Sequence, residues 1–199
     1  MTMCEFLSAI VLKGEPCRIL HKPGVDSHSV LMTHFGVRER GSASAEDQLF
    51  ARVEFVPDWY KDVSKPEAWT FKLDEVRRPV WFDADVEASV RRELWSIVQG
   101  MLHTGGDAEY VDGDHIILAG EVTLHGGRAW ALGSSTVTAY GSSTVMAYDS
   151  STVTINSAYA DAHGRGPFDG KGHPILRCPL EVGKTYQIQG GEFKVKEQA

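Results

Sequence analysis

The chain has 199 residues, enough to bury a real core in one or two compact units, and its net charge of −7 sets it apart from general nucleic-acid binders. Lys and Arg form no block; Arg77-Arg78 and Arg91-Arg92 are isolated pairs, so direct nucleic-acid binding is not expected. The three cysteines, Cys4, Cys17 and Cys178, show no CxxC spacing and cannot all be paired, which fits a reducing compartment and a cytoplasmic protein.

Near the start, residues 6–12 are apolar and rich in strand formers, but Glu5 precedes them and no basic leader does. The run is too short to span a bilayer and lacks the form of a signal peptide, so no membrane association is expected. Lys13-Gly14-Glu15-Pro16 breaks the run, and residues 17–20 return as a hairpin partner. Asp26 or Ser27 is placed to cap a short helix over 29–35, with Val30, Leu31, His34 and Phe35 on its inner side, His28 at its surface and Gly36 as its stop. Residues 49–56 and 69–73 alternate as strands. Residues 83–102 carry the strongest helical pattern: Asp83 or Asp85 as cap, an apolar stripe of Val86, Val90, Leu94, Ile97, Met101 and Leu102, and Gly105-Gly106 as the stop. This helix is expected to cover a small antiparallel sheet, with Trp59, Trp69, Trp81 and Trp95 packed between the layers.

Residues 133–156 read GSSTVTAY, GSSTVMAY, DSSTVTIN, a period of eight. Side chains alternate along a strand, so Val137, Val145 and Val153 share a face with Ala139, Ala147 and Ile155, and their size suits a narrow interior. The other face carries Thr, Tyr140, Met146 and Tyr148, and the corners are Gly-Ser-Ser or Asp-Ser-Ser. Residues 129–132 continue the pattern in phase, whereas 122–126 and 160–164 are each one residue out. Such copies stack into a parallel β-solenoid, since one octad alone buries almost nothing. Near-absence of charge fits stacked strands, where like charges would sit side by side. The fold class is therefore an α+β N-terminal domain over 1–109, a short parallel β-helix over 110–164, and a C-terminal segment over 165–199 whose strands at 174–180, 184–189 and 192–196 cap the open end.

Chemistry is sparsely signalled. Cys4 would become an N-terminal nucleophile if translation began at Met3 and that residue were removed, with Asp26, His28 and Asn156 as conceivable helpers; the leader 1–3 blocks this scheme. Asp26-Ser27-His28 does not form a relay, because neighbours at a helix start do not face one another. His125 and His163 are the candidate metal pair, at the two ends of the repeats, but no recognised zinc or calcium spacing is present, and no metal or cofactor is expected. No phosphate-cradling or dinucleotide motif occurs.

The stretches 3–15 (MCEFLSAIVLKGE), 26–31 (DSHSVL), 53–62 (VEFVPDWYKD) and 69–83, followed by STV-type octads, resemble an uncharacterised family found in bacteria, their phages and mobile elements. The resemblance covers most of the chain and matches the family's start at Met3. It implies a role against host defence or in virion assembly rather than metabolism. Three readings follow. The first is a non-enzymatic interaction protein that binds a host or phage protein, such as a host defence component that it inhibits. Its candidate contacts are Tyr140, Met146 and Tyr148 on the solenoid, and Asp58 and Asp62 among the acidic residues of the first half, which could imitate nucleic acid toward a basic partner. The second is a structural homo-oligomer. The third is a small enzyme or ligand-sequestering protein with a pocket near Cys4.

Overall fold

The computed structural model describes residues 6–39, 44–59, 61–148, 150–157, 160–165, 176–177, 183–189 and 192–195. The chain divides into two units, Met1–Gly100 and Met101–Ala199. The first is α+β and the second is a parallel β-solenoid that begins earlier than the octads, at Leu102.

In the first unit, β1 (Leu7–Leu12), β2 (Arg18–Leu20), β3 (Phe50–Pro57) and β4 (Trp69–Leu73) form an antiparallel sheet in the order β2-β1-β3-β4. Register puts Ala9 beside Val53 and Phe55 beside Phe71 on one face, and Ser8 beside Glu54 and Glu54 beside Lys72 on the other. The apolar face receives helix α2 (Ala84–Met101). Trp69 joins the two layers: its ring stacks on Phe55 at 5.3 Å, meets Trp95 of α2 edge-on at 6.4 Å, and its Nε1 donates to the Val63 carbonyl at 2.9 Å. Asp83 caps α2, its Oδ1 accepting from the Asp85 and Val86 amides. Val90, Leu94 and Val98 make the buried line of the helix; Val98, one residue beyond the expected Ile97, is the fully buried one.

Helix α1 (His28–Phe35) is rotated from its expected orientation: Leu31 faces inward as expected, but Val30, expected beside it, is exposed. Leu31 clusters with Ile10 and Leu20, and His28 is buried, whereas His34 and Phe35 are exposed. The inner side of the helix is thus His28 and Leu31, three residues apart, and its polar first residue is drawn inward by partners on the sheet. Ser27 sits at the N-cap position, but its hydroxyl meets Ser29 rather than a backbone amide.

Glu75, just past β4, is buried with 2% of its side chain exposed and accepts from the Arg52 backbone amide at 2.9 Å and from its guanidinium Nε and Nη2 at 3.1 Å. The Glu75 hydrogen bonds hold Arg52 above its ordinary pKa, against the opposing effect of burial. Removing one partner leaves the other charge poorly solvated. Glu75→Ala is expected to lower stability by about 2–3 kcal/mol, less than for a fully buried pair because Arg52 is partly exposed and also meets Glu39. A urea unfolding midpoint unchanged from wild type would contradict it.

The second unit winds between two sheets. Sheet I contains β6 (Asp107–Tyr110), β8 (Glu121–Leu124), β10 (Thr136–Ala139) and β12 (Thr152–Ile155), all parallel. Sheet II contains β5 (Leu102–His103), β7 (Asp114–Ile117), β9 (Arg128–Ala131), β11 (Thr144–Tyr148) and β13 (Asp161–Arg165), also parallel. Successive strands alternate between the sheets, so one turn uses two octads: Thr136 pairs with Thr152, sixteen positions on. The out-of-phase copies are absorbed in the corners, since Val137 pairs with Val122 and Val145 with Ala162. Val137, Ala139, Val145, Ala147, Val153 and Ile155 are fully buried and form one core with Leu124, Ala129 and Ala131. Ser135, Ser143 and Ser151 are buried at the corners as well.

At the first turn the inward positions hold Tyr110 and His115, stacked at 3.7 Å, with the Tyr110 hydroxyl 3.3 Å from His103 Nδ1. At the far end β14 (Leu176–Arg177) pairs antiparallel with β13, and β15 (Lys184–Gln189), joined to β16 (Glu192–Val195), pairs antiparallel with β12. Tyr186 of β15 enters the core, fully buried. The C-terminal strands therefore extend and close the two sheets, as the sequence indicated.

Candidate functional site

The outward face of sheet I is the most distinctive surface of the coil. Asp107 of β6 pairs directly with Glu121 of β8, and Glu109 with Thr123. The next strands repeat these positions as Thr136 and Thr138. Their side chains line an open depression of about 410 Å³ with carboxylates at one end and threonines at the other. The three carboxylates are exposed. Side by side on adjacent strands, Asp107 and Glu121 repel one another, a cost that the threonines at the same level of β10 avoid. Glu109 Oε1 lies 2.6 Å from His125 Nε2, and the His125 ring stacks on Tyr140 at 5.2 Å. Tyr140, 37% exposed, thus continues this face along the corner.

The other predicted solenoid contacts lie elsewhere. Met146 and Tyr148 belong to β11 in sheet II, so the two-octad turn separates them from Tyr140. Tyr148 points outward from the coil interior as expected, but only 2% of it is exposed, so it offers no open surface. On the same sheet Arg128 grips buried Asp114 through Nε (2.8 Å) and Nη2 (3.1 Å) and lies over the Trp130 ring at 5.2 Å. The candidate metal pair is separated too: His125 follows β8 in sheet I, whereas His163 lies in β13 in sheet II.

Asp58 and Asp62 follow β3. Asp58 Oδ2 is 3.2 Å from Lys61 Nζ, and Asp62 Oδ1 accepts from the Ser64 amide and hydroxyl, which hold its carboxyl below the ordinary range. These contacts are local to the turn. Cys4 and Cys178 lie outside the described residues; Cys17 is a half-buried free thiol whose pKa burial raises.

His28 is not at the surface: it is 5% exposed, on the face of the first sheet that α1 covers. Its Nε2 is 3.0 Å from the Val53 carbonyl, and its Nδ1 is 3.1 Å from Asp74 Oδ2. A carbonyl only accepts, so Nε2 carries the hydrogen and donates. Glu54 completes the group, its carboxylate, Asp74's and one ring nitrogen of His28 lying within 4.8 Å of one another. From the sequence, Glu54 and Asp74 count only among the acidic residues of the first half, not as partners of His28. The available signal was a glutamate in the middle of a largely buried strand that is apolar apart from it and Arg52.

No helix among the described residues is long and apolar enough to cross a membrane. The chain matches no protein-family model, no curated protein and no solved structure.

Proposed function

We propose that the protein is a non-enzymatic interaction protein that docks a basic surface of a host or phage protein against the outward face of sheet I. The observation that carries this is the in-register pairing of exposed Asp107 and Glu121, with Glu109 on the same face. Repulsion between them is relieved when Lys or Arg side chains arrive, so the face gains from a cationic partner what it loses alone. The net charge of −7 favours the same encounter at long range. The resemblance to a phage and mobile-element family makes a host defence component the partner in view. Proteins that handle nucleic acid carry the basic surface this face would complement.

The test compares the tagged wild-type chain with an Asp107→Asn, Glu109→Gln, Glu121→Gln variant as baits in host lysate at about 0.15 M salt, where exposed charges are screened beyond about 8 Å. One basic protein retained in stoichiometric amount by wild type and lost by the variant is the expected outcome. Equal retention by both overturns the face. Recovery of the chain only as its own oligomer replaces this reading with the structural one.

A further inference from the structure

We propose that His28, Glu54 and Asp74 form a binding site for a first-row divalent cation, with Zn²⁺ as the representative ion. The three residues come from separate elements: the first residue of α1, the middle of β3 and the segment just after β4. Their ligand atoms already lie within 4.8 Å of one another, and Nδ1 of His28 and Oδ2 of Asp74 are 3.1 Å apart. Two donors about 2.1 Å from one tetrahedral ion are about 3.4 Å apart, so this separation is close to one edge of a coordination shell.

The histidine is oriented for the task. Its Nε2 hydrogen is committed to the Val53 carbonyl at 3.0 Å, and Nδ1, the other ring nitrogen, faces the Asp74 carboxylate. Metal-binding histidines are typically fixed in this way, with the second ring nitrogen donating to a carbonyl or carboxylate. The two carboxylates bring two negative charges to a divalent cation, with Lys72 beside Glu54 in the register. The donor set of one imidazole and two carboxylates favours zinc and its first-row neighbours over calcium or magnesium, which prefer all-oxygen shells, and over soft ions that need thiolate.

Access and consequence follow from burial. His28 is buried, but 56% of the Asp74 side chain is exposed, so an ion can enter from that side and keep a solvent-facing position. Helix α1 has eight residues and buries only His28 and Leu31. A bound ion would pin its first turn to β3 and to the end of β4, and would raise the unfolding temperature of the first unit by mass action.

The experiment titrates untagged full-length chain with ZnCl₂ against a competing chromophoric chelator, and repeats it with Asp74→Asn, Glu54→Gln and, as a control, His125→Gln. Circular dichroism verifies that each variant is folded, and Asp74→Asn changes the most exposed ligand. The expected result is one ion per chain for wild type and His125→Gln, with affinity reduced about tenfold or more in Asp74→Asn and Glu54→Gln. Co²⁺ substitution should give visible absorption bands in wild type that Asp74→Asn lacks. Absence of one-to-one uptake by wild type overturns the proposal. So does uptake that survives Asp74→Asn, or that is lost in His125→Gln.

Discussion

Ala147→Asp is expected to unfold the coil, whereas Tyr140→Asp is expected to leave it standing. Ala147 is fully buried in the coil core, level with Ala131 one turn earlier. A carboxyl group there finds neither water nor room. Burying an uncompensated polar group costs roughly 2–7 kcal/mol, and an ionised one more, against a total stability of about 5–15 kcal/mol for a domain. Tyr140 is partly exposed and stacks on His125, so its loss should cost about 1 kcal/mol, the worth of one such ring pair. Hydrogen exchange across residues 121–155 distinguishes the cases: protection should vanish in Ala147→Asp and persist in Tyr140→Asp. Equal protection in both would refute the assignment of the interior.

The second large effect concerns a corner. Gly127 has φ +77°, and a Cβ there would lie 2.3 Å from the Gly113 carbonyl oxygen and 2.6 Å from its nitrogen. Both obstacles are backbone, so no rotamer change relieves them. Successive turns would have to separate at the point where the Arg128 amide donates to the Gly113 carbonyl at 2.8 Å. Gly133 supplies an internal control: its φ is +60°, but its nearest obstacle is the Leu118 carbonyl oxygen at 3.5 Å, an ordinary contact. Gly133→Ala should therefore cost only the left-handed backbone penalty, about 1–2 kcal/mol. Gly127→Ala should cost that plus the clash, roughly 3 kcal/mol or more. Urea unfolding of the two variants measures the difference, and equal midpoints would show that the corners yield easily.

Much of the coil was legible because two periods act together. A period of two decides which residues face inward, and a period of eight repeats that decision, so the sequence alone assigns Val137, Ala139, Val145 and Ala147 to the interior, where they are buried. The one-residue phase slips were legible too, and they reappear in the pairing of Val122 and Ala162. The number of octads per turn was not legible, because it depends on how sharply each Ser-Ser corner bends. That missing angle is why Tyr140 and Met146 were grouped on one face when they occupy different sheets. The exposure of Tyr148 was misjudged for a related reason: alternation says that a residue leaves the interior, not whether something covers it outside.

The first unit shows where local pattern stops. Strand and helix limits follow from alternation and capping, as with Asp83 at the start of α2. The burial of His28 does not, because the groups that draw it inward, the Val53 carbonyl and the Asp74 carboxylate, come from β3 and from beyond β4. Glu75 is hidden from sequence reading by the same long-range pairing with Arg52. The acidic corner of sheet I escaped notice because Asp107 and Glu121 lie fourteen positions apart, outside the octad rhythm.

The alternation of strands between two sheets gives the repeat a parity. Inserting or deleting sixteen residues returns every downstream residue to its own side, changing only the length of the coil. Inserting or deleting a single octad exchanges the sides: β15 and β16 would close the opposite sheet, and any outward residue beyond the change would move to the far flank. Length variants that keep Tyr186 seated at the end of sheet I should therefore differ by even numbers of octads.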